Sequence, residues 1–287
     1  MQRGALVLEG GSLRCLFTCG ILDTLMEQNI WFEYVNGVSA GSLSGYNYIS
    51  RQPRRTRDIN EQYCADPRYL GFRNMVHNGG VFNFDFLFGE ICDTLNPLDR
   101  KTFVESQQKF EVVATDCLTG KATFFDKDRM PLADFETACR ASSSMPGLAD
   151  IVEVQGVPYL DGGCACPVAF QRALDLGYDK VVVVLTRPRG FRKPPQPKTG
   201  SASLWRGLYG RYPAFCRTLE EMHRNYNSFY ARIEELERQG KVFVLCPEGP
   251  VLVGRLERDS SRLEALYQNG KYVMQARMEA MRQYLDA

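Results

Sequence analysis

Hydrophobic and polar positions follow two different periods along the chain. Ala5-Leu6-Val7-Leu8 is a continuous apolar run closed by Glu9-Gly10-Gly11, which predicts a buried strand running into a glycine turn. In residues 13–28, Ile21 with Leu25 and Leu22 with Met26 recur at i and i+4, the spacing of an amphipathic helix. Residues 32–38 predict a second short strand that meets Ser39, and residues 42–49 can be helical. Strand, glycine turn, helix, strand, helix is the opening of a doubly wound α/β sheet.

Further strands are expected at residues 110–115, 122–125, 151–154, 180–185 and 241–246. Val181-Val182-Val183-Val184 is β-branched throughout, as suits a central parallel strand covered on both faces. Residues 215–239 and 260–285 predict two long helices, and no internal repeat or low-complexity tail interrupts the pattern. One segment departs from it. Residues 187–219 hold eight basic residues, five prolines and no acidic residue, with Phe191, Trp205, Tyr209, Tyr212 and Phe215 interleaved. Such a stretch is either a solvated connection or an interfacial patch that sets Lys and Arg against anionic headgroups.

Composition narrows the classes. With 44% hydrophobic and 24% charged residues in 287, the chain is globular in type. Its 35 Lys+Arg nearly cancel its 34 Asp+Glu, so the basic surplus that nucleic-acid binding needs is missing. Met1-Gln2-Arg3-Gly4 runs directly into a strand without an apolar leader, so the ten cysteines are expected to be reduced and the protein cytoplasmic. Cys164-x-Cys166 has no second pair to complete a zinc site. The longest aliphatic run, residues 181–185, cannot span a bilayer, so membrane association would be peripheral. There are only two histidines, His77 and His223, and neither sits in a motif. No metal and no cofactor is expected.

Gly37-Val38-Ser39-Ala40-Gly41 fits G-x-S-x-G between a strand and a helix, the context in which a sharp turn exposes a serine hydroxyl at a sheet edge. Small flanking residues let the backbone make that turn, although an ordinary turn serine would satisfy the same pattern. Glu9-Gly10-Gly11-Ser12-Leu13-Arg14 ends the preceding strand, where turn N–H groups can form an oxyanion hole or simply a tight turn. A dinucleotide fingerprint is discounted because G-x-G-x-x-G is not matched. Asp161-Gly162-Gly163 follows another strand end and reads as an Asx turn or as a base for Ser39. Ala141-Ser142-Ser143-Ser144-Met145-Pro146 reads as a helix end stopped by proline.

Taken in order, these four motifs resemble the patatin-like phospholipase family over residues 4 to about 185. The remainder is similar to bacterial members that carry an extra C-terminal segment. The resemblance implies a three-layer α/β/α sandwich with a mostly parallel central sheet. It also implies a serine lipid acyl hydrolase acting on a lipid or acyl-ester substrate through a Ser–Asp dyad. Ser39 would be the nucleophile and Asp161 the base, with Gly10, Gly11 and Ser12 lining the oxyanion hole and Arg14 near it. Gly37, Gly41, Gly162 and Gly163 would support the motifs. The corresponding organisation is a catalytic domain at 1–186, a basic connection at 187–214 and a C-terminal segment at 215–287 packed on the same domain. Peripheral membrane contact would run through residues 187–215. Nothing in the sequence sets an oligomeric state.

Two positions depart from the family pattern, which usually has glycine where this chain has Ser12 and Cys15. If the loop demands a positive φ at residue 12, serine is strained there. Those departures keep open a catalytically impaired acyl-lipid-binding protein; a further alternative is an acyltransferase using the same dyad, which the sequence does not separate from a hydrolase. Residues 69–91, rich in phenylalanine around Gly79-Gly80, read as core, lid or acyl-chain wall.

Overall fold

Eight strands make one sheet in the computed structural model, which describes residues 1–195 and 201–287. They are β1 (Gln2–Leu8), β2 (Phe32–Val38), β3 (Lys109–Asp116), β4 (Ala122–Asp126), β5 (Val152–Val154), β6 (Val157–Asp161), β7 (Val181–Val184) and β8 (Phe243–Leu245). Their spatial order is β5-β6-β3-β2-β1-β7-β8, with β4 paired to β3 off that path. From β3 through β8 every pairing is parallel. β4 and β6 run antiparallel to β3, and β5 antiparallel to β6.

The helices in chain order are α1 (Leu16–Glu27), α2 (Ala40–Ile49), α3 (Arg55–Tyr63), α4 (Asn74–His77), α5 (Arg100–Glu105), α6 (Leu132–Ser143), α7 (Phe170–Asp175), α8 (Ser201–Tyr209), α9 (Pro213–Arg238) and α10 (Ser260–Asp286). Strand alternation divides the core into two layers, as a pleat of period two requires. Leu6, Leu8, Val182 and Val184 face a core shared with Phe17 of α1 and Met274 of α10. Ala5, Val7, Val181 and Val183 face the opposite core with Tyr226, Tyr230 and Ile233 of α9. Helices on both faces of a mostly parallel sheet make the three-layer α/β/α sandwich the sequence predicts.

The expected amphipathic helix at 13–28 differs in two ways. A 3₁₀ turn over Ser12–Cys15 precedes α1, and every residue of α1 up to Leu25 is buried. The reason is α10, which covers the side that the i, i+4 pattern would leave to solvent. The two helices cross with backbones touching: a Cβ on Gly20 would lie 2.2 Å from the Tyr267 carbonyl oxygen, and one on Gly270 would lie 2.1 Å from that of Phe17. Asp23 is enclosed at this crossing, accepting from Tyr267 Oη at 2.9 Å and from Arg54 N–H at 3.0 Å. Helix α2 begins at Ala40, two residues before the expected start, because Ser39 itself makes the turn.

Candidate active site

The site is assembled at the carboxyl edge of the sheet, where register alone brings its parts level. Val38 pairs with Val113, and the next residue of β3, Ala114, pairs with Asp161. Ser39, one past Val38, therefore stands level with Asp161. Its backbone, at φ 55° and ψ −128°, turns directly from β2 into α2. A non-glycine residue held at such angles stores about 1–3 kcal/mol and persists only where its surroundings fix it. Close packing does so. A Cβ on Gly41 would lie 2.6 Å from the Leu8 carbonyl oxygen, and one on Gly37 equally close to that of Gly41. Ser39 N–H also donates to Ser142 Oγ at 2.8 Å, and that hydroxyl donates to the Val113 carbonyl at 2.5 Å.

Ser39 Oγ donates to Asp161 Oδ2 at 2.8 Å, and Gly163 N–H donates to Asp161 Oδ1 at 2.8 Å. The turn beneath is anchored to β3. Thr115 Oγ1 donates to the Asp161 carbonyl at 2.8 Å and accepts from Ala165 N–H at 3.2 Å. Asp161 N–H donates to the Ser144 carbonyl at 2.8 Å. Burial pushes the Asp161 carboxyl above the ordinary carboxylate range, against the opposing pull of the Gly163 N–H, Ser39, Arg255 and Lys193.

The glycine turn after β1 abuts this pair, since a Cβ on Gly10 would lie 3.0 Å from that of Ser39. Among the described residues the N–H groups of Gly10 and Gly11 have no hydrogen-bond partner. Ser12 adopts φ 51°, the left-handed conformation that glycine would take without strain. Its hydroxyl donates to the Arg255 carbonyl at 2.6 Å, tying the turn to the segment before α10. Cys15 is buried in the core layer that holds Leu6 and Leu8 and also lines a cavity. Arg14 is buried, its Nε lacks a partner, and burial lowers its pKa to about 10. Beside it Glu9 accepts from Thr186 N–H at 2.5 Å, Thr186 Oγ1 at 2.9 Å, Tyr226 Oη at 2.8 Å and Tyr230 Oη at 2.9 Å.

Two cavities meet at Ser12, Ser39 and Met145. The smaller, about 50 Å³, is apolar and is walled by Leu43, Tyr69, Phe82, Phe84 and Leu87. Part of the 69–91 segment thus forms a wall, pinned to the body by Val81 N–H donating to the Leu148 carbonyl at 2.8 Å. The larger, about 410 Å³, is more polar than the first, mixing Phe191, Trp205 and Met222 with Arg14, Arg187, Lys193, His223 and Arg255. His223 does not touch Ser39 or Asp161; its Nδ1 lies 2.8 Å from the Pro194 carbonyl. His77 is exposed on α4. Cys164 and Cys166 are buried and free, and no group of three or more metal-ligating side chains occurs among the described residues. Among the described residues no helix is long and apolar enough to cross a membrane. Sequence reading missed Ser142 and Thr115, whose hydroxyls position others, and it passed over Lys193 and Arg255, which arrive from distant segments. Part of the basic stretch, residues 196–200, lies outside the described residues.

Comparison with known proteins bears on this arrangement. The family model described as patatin-like phospholipase matches residues 6–173, more than half of the chain. The chain belongs to the patatin-like phospholipase family. Membership places it among lipid acyl hydrolases at the level of the family, with lipid esters as the substrate class. A domain of unknown function, DUF6363, matches residues 212–286, which cover α9, β8 and α10. An uncharacterised protein of Escherichia coli (strain K12), YjjU, is 27% identical over 254 residues, covering 87% of this chain and 70% of its own. The crystal structure of VipD from Legionella pneumophila aligns over 100% of this chain and 67% of its own, with a TM-score of 0.48 and 12% identity.

Proposed function

We propose that this patatin-like protein hydrolyses carboxylic esters of lipids through an acyl-enzyme, with Ser39 as nucleophile and Asp161 as base. The observation that carries the reading is the 2.8 Å hydrogen bond from Ser39 Oγ to Asp161 Oδ2 at a strained strand-to-helix turn between an apolar and a polar cavity. The acyl chain enters the apolar cavity and the alcohol portion lies in the polar one. Ser39 Oγ attacks the ester carbonyl while its proton passes to Asp161. The N–H groups of Gly10, Gly11 and Ser12 receive the developing oxyanion; one such donor is typically worth about 3 kcal/mol in the transition state. The ester C–O bond then breaks, Asp161 protonates the departing alkoxide, and water repeats the sequence to release the fatty acid and restore Ser39. Burial of Asp161 supports the assignment, because a raised carboxylate pKa brings it closer to the serine hydroxyl it must deprotonate.

Contact with a membrane surface suits the same reading. On α8, Leu204 and Leu208 are exposed one turn apart, beside Trp205 of the polar cavity. A fluorophosphonate probe and short-chain nitrophenyl esters test the chemistry together. The wild type should label and turn over, and Ser39→Ala should lose both. Labelling that persists in Ser39→Ala overturns the assignment, and tight fatty-acid binding without turnover favours an impaired binding protein instead.

A further inference from the structure

The polar cavity carries an imbalance of charge that ester hydrolysis does not call for. Four cations line it from three separate segments: Arg14 after β1, Arg187 and Lys193 on the basic connection after β7, and Arg255 ahead of α10. Two carboxylates, Glu9 and Asp161, offset part of this charge and leave the cations in excess by two. Glu9 is saturated by four donors, and Asp161 is engaged by Ser39 and Gly163. Elsewhere on the same connection Arg189 is paired with Glu237 and Arg192 with Glu234. None of the four cavity cations has a carboxylate within ion-pair distance among the described residues. Arg14 is 8% exposed, with an orphaned Nε. At Arg14, buried charge left unpaired is costly, and a ligand of opposite sign removes the cost; Arg187 and Lys193 are half-buried and Arg255 is exposed.

We propose that this cavity is a phosphate-binding subsite that selects lipid esters whose head group ends in a phosphomonoester, with Lys193 and Arg255 as its specificity-determining cations. A phosphomonoester brings about −1.5 to −2 charges at neutral pH and three acceptor oxygens, a better match to four convergent cations than a carboxylate or a diester. A choline head group fits poorly. Its ammonium would join four cations, and two aromatic faces that could hold it are taken: Arg187 lies 4.7 Å over Phe191 and Lys193 lies 3.9 Å over Tyr226. Burial lowers the Lys193 pKa to about 8, with Arg255 and Arg14 adding to the shift and Glu9 opposing it. The inference rests on the Ser39 reading for orientation, and it gives the segment matched as a domain of unknown function a role, since Arg255 and Tyr226 belong to it.

The test compares wild type, K193Q/R255Q and K193R on dihexanoyl phosphatidate and dihexanoyl phosphatidylcholine, both kept monomeric so that surface charge does not enter. The expected kcat/KM ratio favours phosphatidate by at least about tenfold, the equivalent of one charge-assisted hydrogen bond. It should fall toward one in K193Q/R255Q and persist in K193R. Glycerol 3-phosphate should compete better than inorganic phosphate. Competition by inorganic phosphate without a phosphatidate preference assigns the chemistry to free phosphate and overturns head-group selection, as does a wild-type ratio near one without competition. Should the wild type hydrolyse no ester, the Ser39 reading fails on its own. Calorimetric titration with dihexanoyl phosphatidate then decides the subsite: binding lost in K193Q/R255Q upholds it, and no binding to wild type overturns it.

Discussion

Glu9 and Asp161 stand at the same sheet edge, both buried, and they are treated in opposite ways. Glu9 takes four hydrogen bonds, two from Thr186 and two from tyrosines of α9, so its oxygens are committed. Asp161 takes only two, and one of those donors is the hydroxyl whose proton it would remove. Saturation makes a carboxylate a structural clamp, here fastening α9 to the end of β1. Incomplete satisfaction under burial makes one a base, because the charged form is held without being stabilised enough to lose basicity.

Substitution should split the two. Asp161→Asn is expected to lower kcat by at least about 10³-fold in nitrophenyl ester assays, since the amide cannot accept the Ser39 proton, while its melting temperature stays near wild type. Glu9→Gln should behave in reverse. Exchanging one acceptor for a donor leaves buried partners unpaired and costs about 2–4 kcal/mol of unfolding free energy in urea. If Glu9→Gln spares stability and abolishes turnover, the contrast is mistaken. The pH profile sharpens it further. Activity needs ionised Asp161, so kcat/KM should rise through an acid limb above the ordinary aspartate value of about 3.9. Arg255 and Lys193 both pull that pKa down, so K193Q/R255Q should move the limb to higher pH.

Asp23 supplies a third buried carboxylate remote from the site, with a pKa raised to about 6, chiefly by burial. The folded state binds this proton more tightly than the unfolded chain, so the contribution of Asp23 to stability is full below about pH 4 and is lost as pH rises to about 6. The loss is about 3 kcal/mol at one pKa unit per 1.4 kcal/mol. Asp23→Asn, which keeps an acceptor for Tyr267, should flatten that decline in urea titrations at pH 4 and pH 7. Ser12→Gly should have the smallest effect, a net change under about 1 kcal/mol, as relief at φ 51° offsets loss of the bond to Arg255.

The division between legible and illegible residues follows the reach of the interactions. β1 and β7 declare themselves because their neighbours bury both faces, leaving uninterrupted apolar runs over residues 5–8 and 181–184. Ser39 and Asp161 are legible because their turns need glycines at fixed offsets, and a Cβ at Gly162 would sit 2.1 Å from the Val113 carbonyl oxygen. Lys193 and Arg255 carry no such local mark. They reach the cavity through packing of the chain's far end, and a lone basic residue in a proline-rich or loop segment looks like any solvated charge. Ser142 is hidden for a related reason, since only the backbone path of β2 and β3 shows which hydroxyl of a serine run bridges Ser39 to Val113. Helix α1 reads as half-exposed for want of the same long-range information.

The crossing of Gly20 with Gly270 also bears on how the chain is made. Those residues are 250 positions apart, so the first helix emerges from the ribosome long before its cover exists. At synthesis rates of about 5–20 residues per second, the interval is roughly 12–50 s. Throughout it the face of α1 that carries Phe17, Gly20 and Asp23 stays without its cover. The time for which that face is open during synthesis is thus set by the position of α10 in the chain.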